Sequence, residues 1–201
     1  ILAAARKMLG HQSIDSIRMD ELAETAGVGK GTLYRRFHDR SALCHALLDD
    51  AEMKLQEQVL AGFHLPPKTS AEARFDALLD ALTDFAITNV ALLAEAEVFA
   101  RGELDRLNHA PHRWRVRALV HAMSLLPEPP LFPELTAEMV LACLDPHGLR
   151  RHLVALGGEP TDDNVRTVRR ACVQVIRRLV CGPEPVGDVP AGGSKVLRRA
   201  T

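Results

Sequence analysis

The chain has 201 residues, 47% of them hydrophobic but only 4% aromatic, with a formal net charge of -1. That is enough apolar side chain for one or two domains with substantial cores, and those cores must be built from Leu, Ala, Val and Met, which favours packed helices over a sandwich or barrel. A near-zero charge and a pI near 6.8 exclude a protein held on a polyanion by a global positive field, so any nucleic-acid contact has to be local.

Four cysteines, Cys44, Cys143, Cys172 and Cys181, show no close pairing, and a chain of this length does not need staples, so a reducing, cytoplasmic setting is expected. No apolar run approaches the roughly 20 residues that span a bilayer, and no membrane partner is expected. The start, ILAAARKMLG, is too short and too soon interrupted for a signal peptide. It opens inside a helical pattern, so residues ahead of Ile1 are expected.

From Ile1 to Leu9, the spacing of Ile1, Ala4, Ala5 and Met8 predicts a first helix, stopped by Gly10. MDELAETAGVG predicts a second, with Leu22, Ala23 and Ala26 inward, Asp20 and Glu21 near its positive end, and Gly27 turning out of it with positive φ. KGTLYRRF starts a third short helix with Leu33 and Phe37 as inward anchors at i,i+4. Two short helices joined by a tight glycine turn have the sequence form of a helix-turn-helix.

DRSALCHALLDDAEMKLQEQVLAGF continues as a long fourth helix, with Asp39 as candidate cap and Leu43, Leu47, Met53 and Leu55 among its apolar positions. Periodicity breaks near HLPPKTS. The next segment, from Ser70 to Gly102, predicts two helices with a break around Thr88 and Asn89. HAPHRWRVRALVHAMSLL predicts another, with Pro111 in its first turn. PEPPLFP is a turn or extended connector. ELTAEMVLACLDPHGLRRHLVALGG is a helical segment that Pro146 and Gly148 kink or divide. The last helix is capped by Thr161 or Asp162 and carries Val165, Val168, Ala171, Cys172, Val175, Ile176 and Leu179. Residues 183–201 form a loose tail.

A major groove admits one helix with side chains aimed at base edges. Gly29, Lys30 and Gly31 lie at the N-terminal end of the third helix, where small side chains permit close approach. With Leu33 and Phe37 facing a core, Lys30 and Arg35 are the leading base-edge candidates, since both can pair with guanine. Thr32, Tyr34, His38 and Arg40 fit phosphate contacts, and Arg18 at the start of the second helix joins that set. Arg36 fits either role or neither.

MDELAETAGVGKGTLYRRFHDRSAL resembles the TetR family of bacterial transcriptional regulators: an Ala-Gly-Val turn, Lys-Gly-Thr, then Leu-Tyr-x-x-Phe and a basic residue before the fourth helix. The resemblance covers about the first fifty residues. Arg18 stands where the family has Thr or Ser, Gly29 replaces a common Ser, Arg36 a common His or Tyr, and Ser41 a common acid. It implies an all-α fold: a helix-turn-helix DNA-binding domain over 1–45, joined by the fourth helix to a ligand-binding and dimerisation domain over 46–182. It also implies a double-stranded DNA operator, a homodimer through the last helices, Tyr34 and Thr32 on phosphates, and a small-molecule effector of unidentified chemistry that releases a repressor.

The effector-pocket candidates are Phe85, Phe99, His109, Trp114, Arg117, His121, Met123 and Met139. Other classes are weaker. His109-x-x-His112, or Asp145 with His147, could be parts of a metal site, but no HExxH, GxSxG or phosphate loop accompanies them, so no enzyme, metal or cofactor is expected. A helical interaction module without operator binding is the alternative.

Overall fold

The structure, a computed structural model, describes residues 1–11, 14–98, 110–155 and 162–182. The all-helical expectation holds: helices form two packed clusters, a head and a body, bridged by one long helix.

The head contains α1 (Leu2–Leu9), α2 (Met19–Thr25), α3 (Lys30–Arg36) and the first half of α4 (Arg40–Leu60). Its core gathers Ala5, Met8, Leu22, Leu33, Phe37 and Leu43. Gly27 ends α2 as expected, at φ 65°. Val28 N–H donates to Ala23 O at 3.0 Å and Gly27 N–H to Glu24 O at 3.1 Å, so a left-handed glycine closes the α2 carbonyls and redirects the chain into α3. Arg18 precedes α2 in extended backbone and makes no side-chain capping bond, the consequence of a long cation standing where a short hydroxyl caps best.

Asp39 caps α4, its Oδ1 accepting from Ala42 N–H at 2.8 Å. Leu47 and Leu43 face the head, Leu55 faces the body, and Leu48 packs against both clusters, which makes α4 the shared beam. Met53, one of the helix's apolar positions, is 55% exposed; at about 100° per residue it points roughly opposite to Leu55. The inward position sequence reading passed over is Glu52, 5% exposed.

The body is wrapped around α5 (Ala71–Thr88), capped by Ser70 Oγ, which accepts from Ala73 N–H at 3.2 Å. The break comes where Asn89 was placed: its Nδ2 donates to Phe85 O at 2.9 Å, and α6 (Val90–Val98) leaves at 70° to α5. Next come α7 (Ala110–Ser124), α8 (Pro133–Ala142), α9 (Pro146–Ala155) and α10 (Asp162–Cys181). Proline opens both α8 and α9, where its missing N–H costs nothing, and Asp145 Oδ2 accepts from Gly148 N–H at 2.6 Å to start α9. Of the two outcomes expected at Pro146, a kink or a division, the segment is divided there. Helix α10 begins at Asp162, while Thr161, the other cap candidate, and the tail lie outside the described residues.

The stripe on α10 splits. Val168, Ile176 and Val180 are buried within the chain, whereas Val175 is 58% and Leu179 40% exposed. Two of its arginines turn back onto α5: Arg177 reaches Asp76 at 3.2 Å and Arg169 reaches Asp84 at 3.0 Å. Among the described residues no single helix is long and apolar enough to cross a membrane.

Candidate nucleic-acid interface

The geometry of α3 follows from two anchors. Leu33 is fully buried and Phe37 6% exposed, so they fix the roll of a seven-residue helix. At about 100° per residue, Gly31 and Arg35 then point almost directly away from the core, Thr32 and Tyr34 flank them on either side, and Lys30 and Arg36 lie within about 60° of the core direction. All six are exposed, as are Gly29 and His38. A Cβ built on Gly29 or Gly31 meets nothing within 4 Å. The chain's own packing therefore does not require glycine at either position, and their smallness faces outward.

The two positions nearest the core direction have partners. Lys30 Nζ bonds Asp20 Oδ2 at 2.7 Å, and that hydrogen bond and the carboxylate charge raise the Lys30 pKa. The ammonium stays charged and ties the N-terminus of α3 to α2. The Arg36 guanidinium lies 5.9 Å from the Phe37 ring centroid. In the turn to α4, His38 Nε2 is 3.1 Å from Asp39 Oδ2. Arg40, grouped by sequence with the phosphate contacts, is engaged inside the chain: its Nε donates to Glu95 Oε1 of α6 at 2.8 Å. Of the expected DNA-facing set, Gly31, Thr32, Tyr34 and Arg35 form one outward surface, with Arg18 exposed at the start of α2.

The second candidate set is not brought together. Met123 is fully buried and Phe85 7% exposed, with Trp114 partly buried against the same core. Arg117 and His121 are exposed, and Met139 is 45% exposed, because each sits on the outer side of its helix. Phe99 and His109 lie outside the described residues. The polar pair that the core does hold was missed: Glu52 Oε1 lies 3.5 Å from Arg115 Nε, and the Arg115 guanidinium stacks 5.3 Å from the Phe85 centroid. Burial raises the Glu52 pKa, with Arg115 opposing. Position was the available signal, since Glu52 lies four residues after Leu48 and three before Leu55 on the inward face of α4.

His112, considered as a metal ligand, instead pairs with Glu138 at 3.0 Å and links α7 to α8. Among the described residues no three His, Cys, Asp or Glu side chains are grouped to hold a metal ion.

A short helix pinned by its apolar side, presented by a glycine turn with a bare basic flank outward, defines the head as a helix-turn-helix. Residues 1–47 match the tetR family of bacterial regulatory proteins. An HTH-type transcriptional regulator of Staphylococcus aureus (strain USA300) is 33% identical over 92 residues, 44% of this chain and 47% of that one; the chain spans about half the length of the curated relatives it matches. A TetR/AcrR-family transcriptional regulator from Thermobifida fusca shares the fold with a TM-score of 0.59 at 15% identity, covering 86% of this chain and 93% of that one. The transcriptional regulator FadR from Bacillus subtilis, solved with stearoyl-CoA, does so with a TM-score of 0.59 at 13% identity, covering 91% and 97%. Residues 1–47 thus carry a tetR-family helix-turn-helix, and the described chain shares the all-helical fold of these solved regulators.

Proposed function

We propose that the protein is a homodimeric repressor that binds an operator through α3 and is released by a small apolar or amphipathic effector, acting in the cytoplasm. The observation that carries this reading is the roll of α3: Leu33 and Phe37 are buried while Arg35, Tyr34 and Thr32 are exposed on the other side. Arg35 and Gly31, at the centre of the outward face, are assigned to base edges, where an arginine forks onto guanine and a glycine lets the backbone close in. Tyr34 and Thr32, on opposite flanks, are assigned to phosphates. Lys30 acts from its Asp20 pair, mainly as a positioning charge, and Arg36, lying against Phe37, contributes at the rim together with Arg18, His38 and Gly29.

A single seven-residue helix makes few contacts and the chain has no net positive charge, so two heads held about one DNA turn apart are needed for useful affinity. The last helices offer the surface for pairing. Leu135 and Met139 on α8 and Val175 and Leu179 on α10 are i,i+4 pairs left 40–59% exposed, and α8 packs on α10. Met139 belongs with this face rather than with an effector pocket. The effector is assigned to the body core near Trp114, Phe85 and Met123, where the Glu52–Arg115 pair supplies polarity in place of the exposed Arg117 and His121. It releases DNA only if it prefers the head spacing that fits the operator badly.

The test is selection of bound duplexes from a random-sequence pool, followed by titration of the selected site. Tyr34→Phe is expected to weaken binding with little change in sequence preference, and Arg35→Ala to weaken it and relax preference at one base pair. Failure of the wild-type chain to enrich any sequence would favour a helical interaction module instead.

A further inference from the structure

Helix α6 touches the head twice. Leu92 is 8% exposed and belongs to the head core, and Glu95, three residues on and so on the same face, accepts the Arg40 Nε hydrogen bond at 2.8 Å. The Glu95 side chain is 13% exposed and that of Arg40 36%. The same short helix packs on α9 of the body and is joined to α5 through the 70° bend. It is thus wedged between the effector-side helices and the first residue of α4, immediately beyond the recognition helix.

Arg40 keeps its charge at any ordinary pH, so it remains a partner for any anion within reach. In this arrangement Glu95 is an anion that it engages. An Nε–H directed at Glu95 is withheld from a phosphate, and a carboxylate beside Arg40 repels a phosphate oxygen of like sign. We infer that Glu95 is a built-in competitor of DNA phosphate for Arg40, so that the position of α6 sets how much of the head's affinity is expressed. A shift of α6 toward α4 strengthens the competitor and a shift away weakens it, which links body and head through an ion pair in which a phosphate can take the place of Glu95. The inference rests on the DNA-binding reading of α3 and the start of α4.

The test needs no knowledge of the operator, because phosphate contacts are independent of sequence. Wild type, Glu95→Gln, Arg40→Gln and the double variant are titrated, as full chains, against a labelled duplex of arbitrary sequence about three helical turns long, by anisotropy across a salt series. Glu95→Gln is expected to bind about two- to five-fold tighter, with the slope of log affinity against log salt steeper by about 0.9, one further phosphate neutralised. Arg40→Gln should bind more weakly than wild type, and the double variant should match it. Glu95→Asp, which keeps the charge and shortens its reach, should fall between wild type and Glu95→Gln, and it carries the test should the glutamine variant fold poorly. No gain in either Glu95 variant overturns the inference, as does a gain that persists without Arg40, since that would report only a general loss of negative charge. A wild-type chain that ignores duplex at every salt overturns the DNA reading itself.

Discussion

The head and the body are both helices closed around leucines, yet they place their polar groups oppositely. Among the described residues the head's buried positions are apolar apart from Ser41, and the cations of α3 stand outside. In the body Glu52 and Thr83 are inside, at 5% and 0% exposure, and among the described residues neither Glu52 Oε1 nor Thr83 Oγ1 has a hydrogen-bond partner. Burying such groups without a hydrogen bond costs stability, a cost that the Arg115 ion pair offsets in part at Glu52. The contrast teaches that the head uses its interior to hold a surface still, whereas the body keeps polar and charged groups in its interior.

The largest effect should come from breaking the head's division of labour at its inner side. Leu33→Ala removes a fully buried side chain and should cost about 3 kcal/mol, lowering the thermal unfolding midpoint and abolishing duplex binding together. Arg35→Ala, two residues away on the opposite face, should leave the unfolding free energy within about 0.5 kcal/mol of wild type while weakening operator binding by about ten- to a hundred-fold, the roughly 1–3 kcal/mol of a bidentate base contact. If Arg35→Ala lost stability as Leu33→Ala does, the assignment of the two faces would be wrong.

Much of the head was legible because its signals are local. Gly27, Leu33, Phe37 and Asp39 act within a few residues of themselves, and each does what a short stretch of sequence implies. The exposure of Gly31, Thr32, Tyr34 and Arg35 was legible for the same reason. The partners of the cations were less so: Lys30 is held by Asp20, and Arg40 is engaged by Glu95, 55 positions along, a pairing that no local pattern reports. The body was harder. Its helices and the breaks at Asn89 and Pro146 follow from capping and proline chemistry. Which side of each helix faces inward depends on what packs against it, so Arg117, His121 and Met139 were assigned to an interior that they do not reach. Glu52 was hidden by its chemical type, since a glutamate is rarely placed in a core unless something there is charged.

A smaller effect sharpens the interior side of the comparison. Burial raises the Glu52 pKa, so between the ordinary glutamate value, about 4.3, and the raised folded value the native chain holds a proton that the unfolded chain has released. Stability tied to Glu52 is therefore complete below that window and is lost as pH rises through it. Burial also raises the carboxyls of Asp76 and Asp84, against the pull of Arg177 and Arg169, so wild type alone does not isolate one residue. The difference between Glu52→Gln and wild type does: measured by denaturant unfolding at a series of pH values, it should shift in favour of the variant as pH rises from about 4 toward 7, whatever its offset at low pH. A difference that is flat across this range would mean that Glu52 titrates normally.

The smallest effect has opposite signs in the two assays, which makes it the sharpest test of the outer face. Gly31 is the second residue of α3, and a Cβ there meets nothing in the chain. Gly31→Ala should therefore stabilise the free protein by about 0.5–1 kcal/mol, because alanine restricts the unfolded chain and suits a helix. It should nevertheless weaken operator binding several-fold, since the added methyl group points along the same direction as Arg35, into the space a base edge must occupy. Thermal unfolding and operator titration on the same preparation read both signs at once. A variant that is more stable and binds equally well would remove Gly31 from the interface and move the contact toward the Tyr34 flank, while one that is less stable would mean that the backbone at Gly31 is strained in a way its open surroundings do not require.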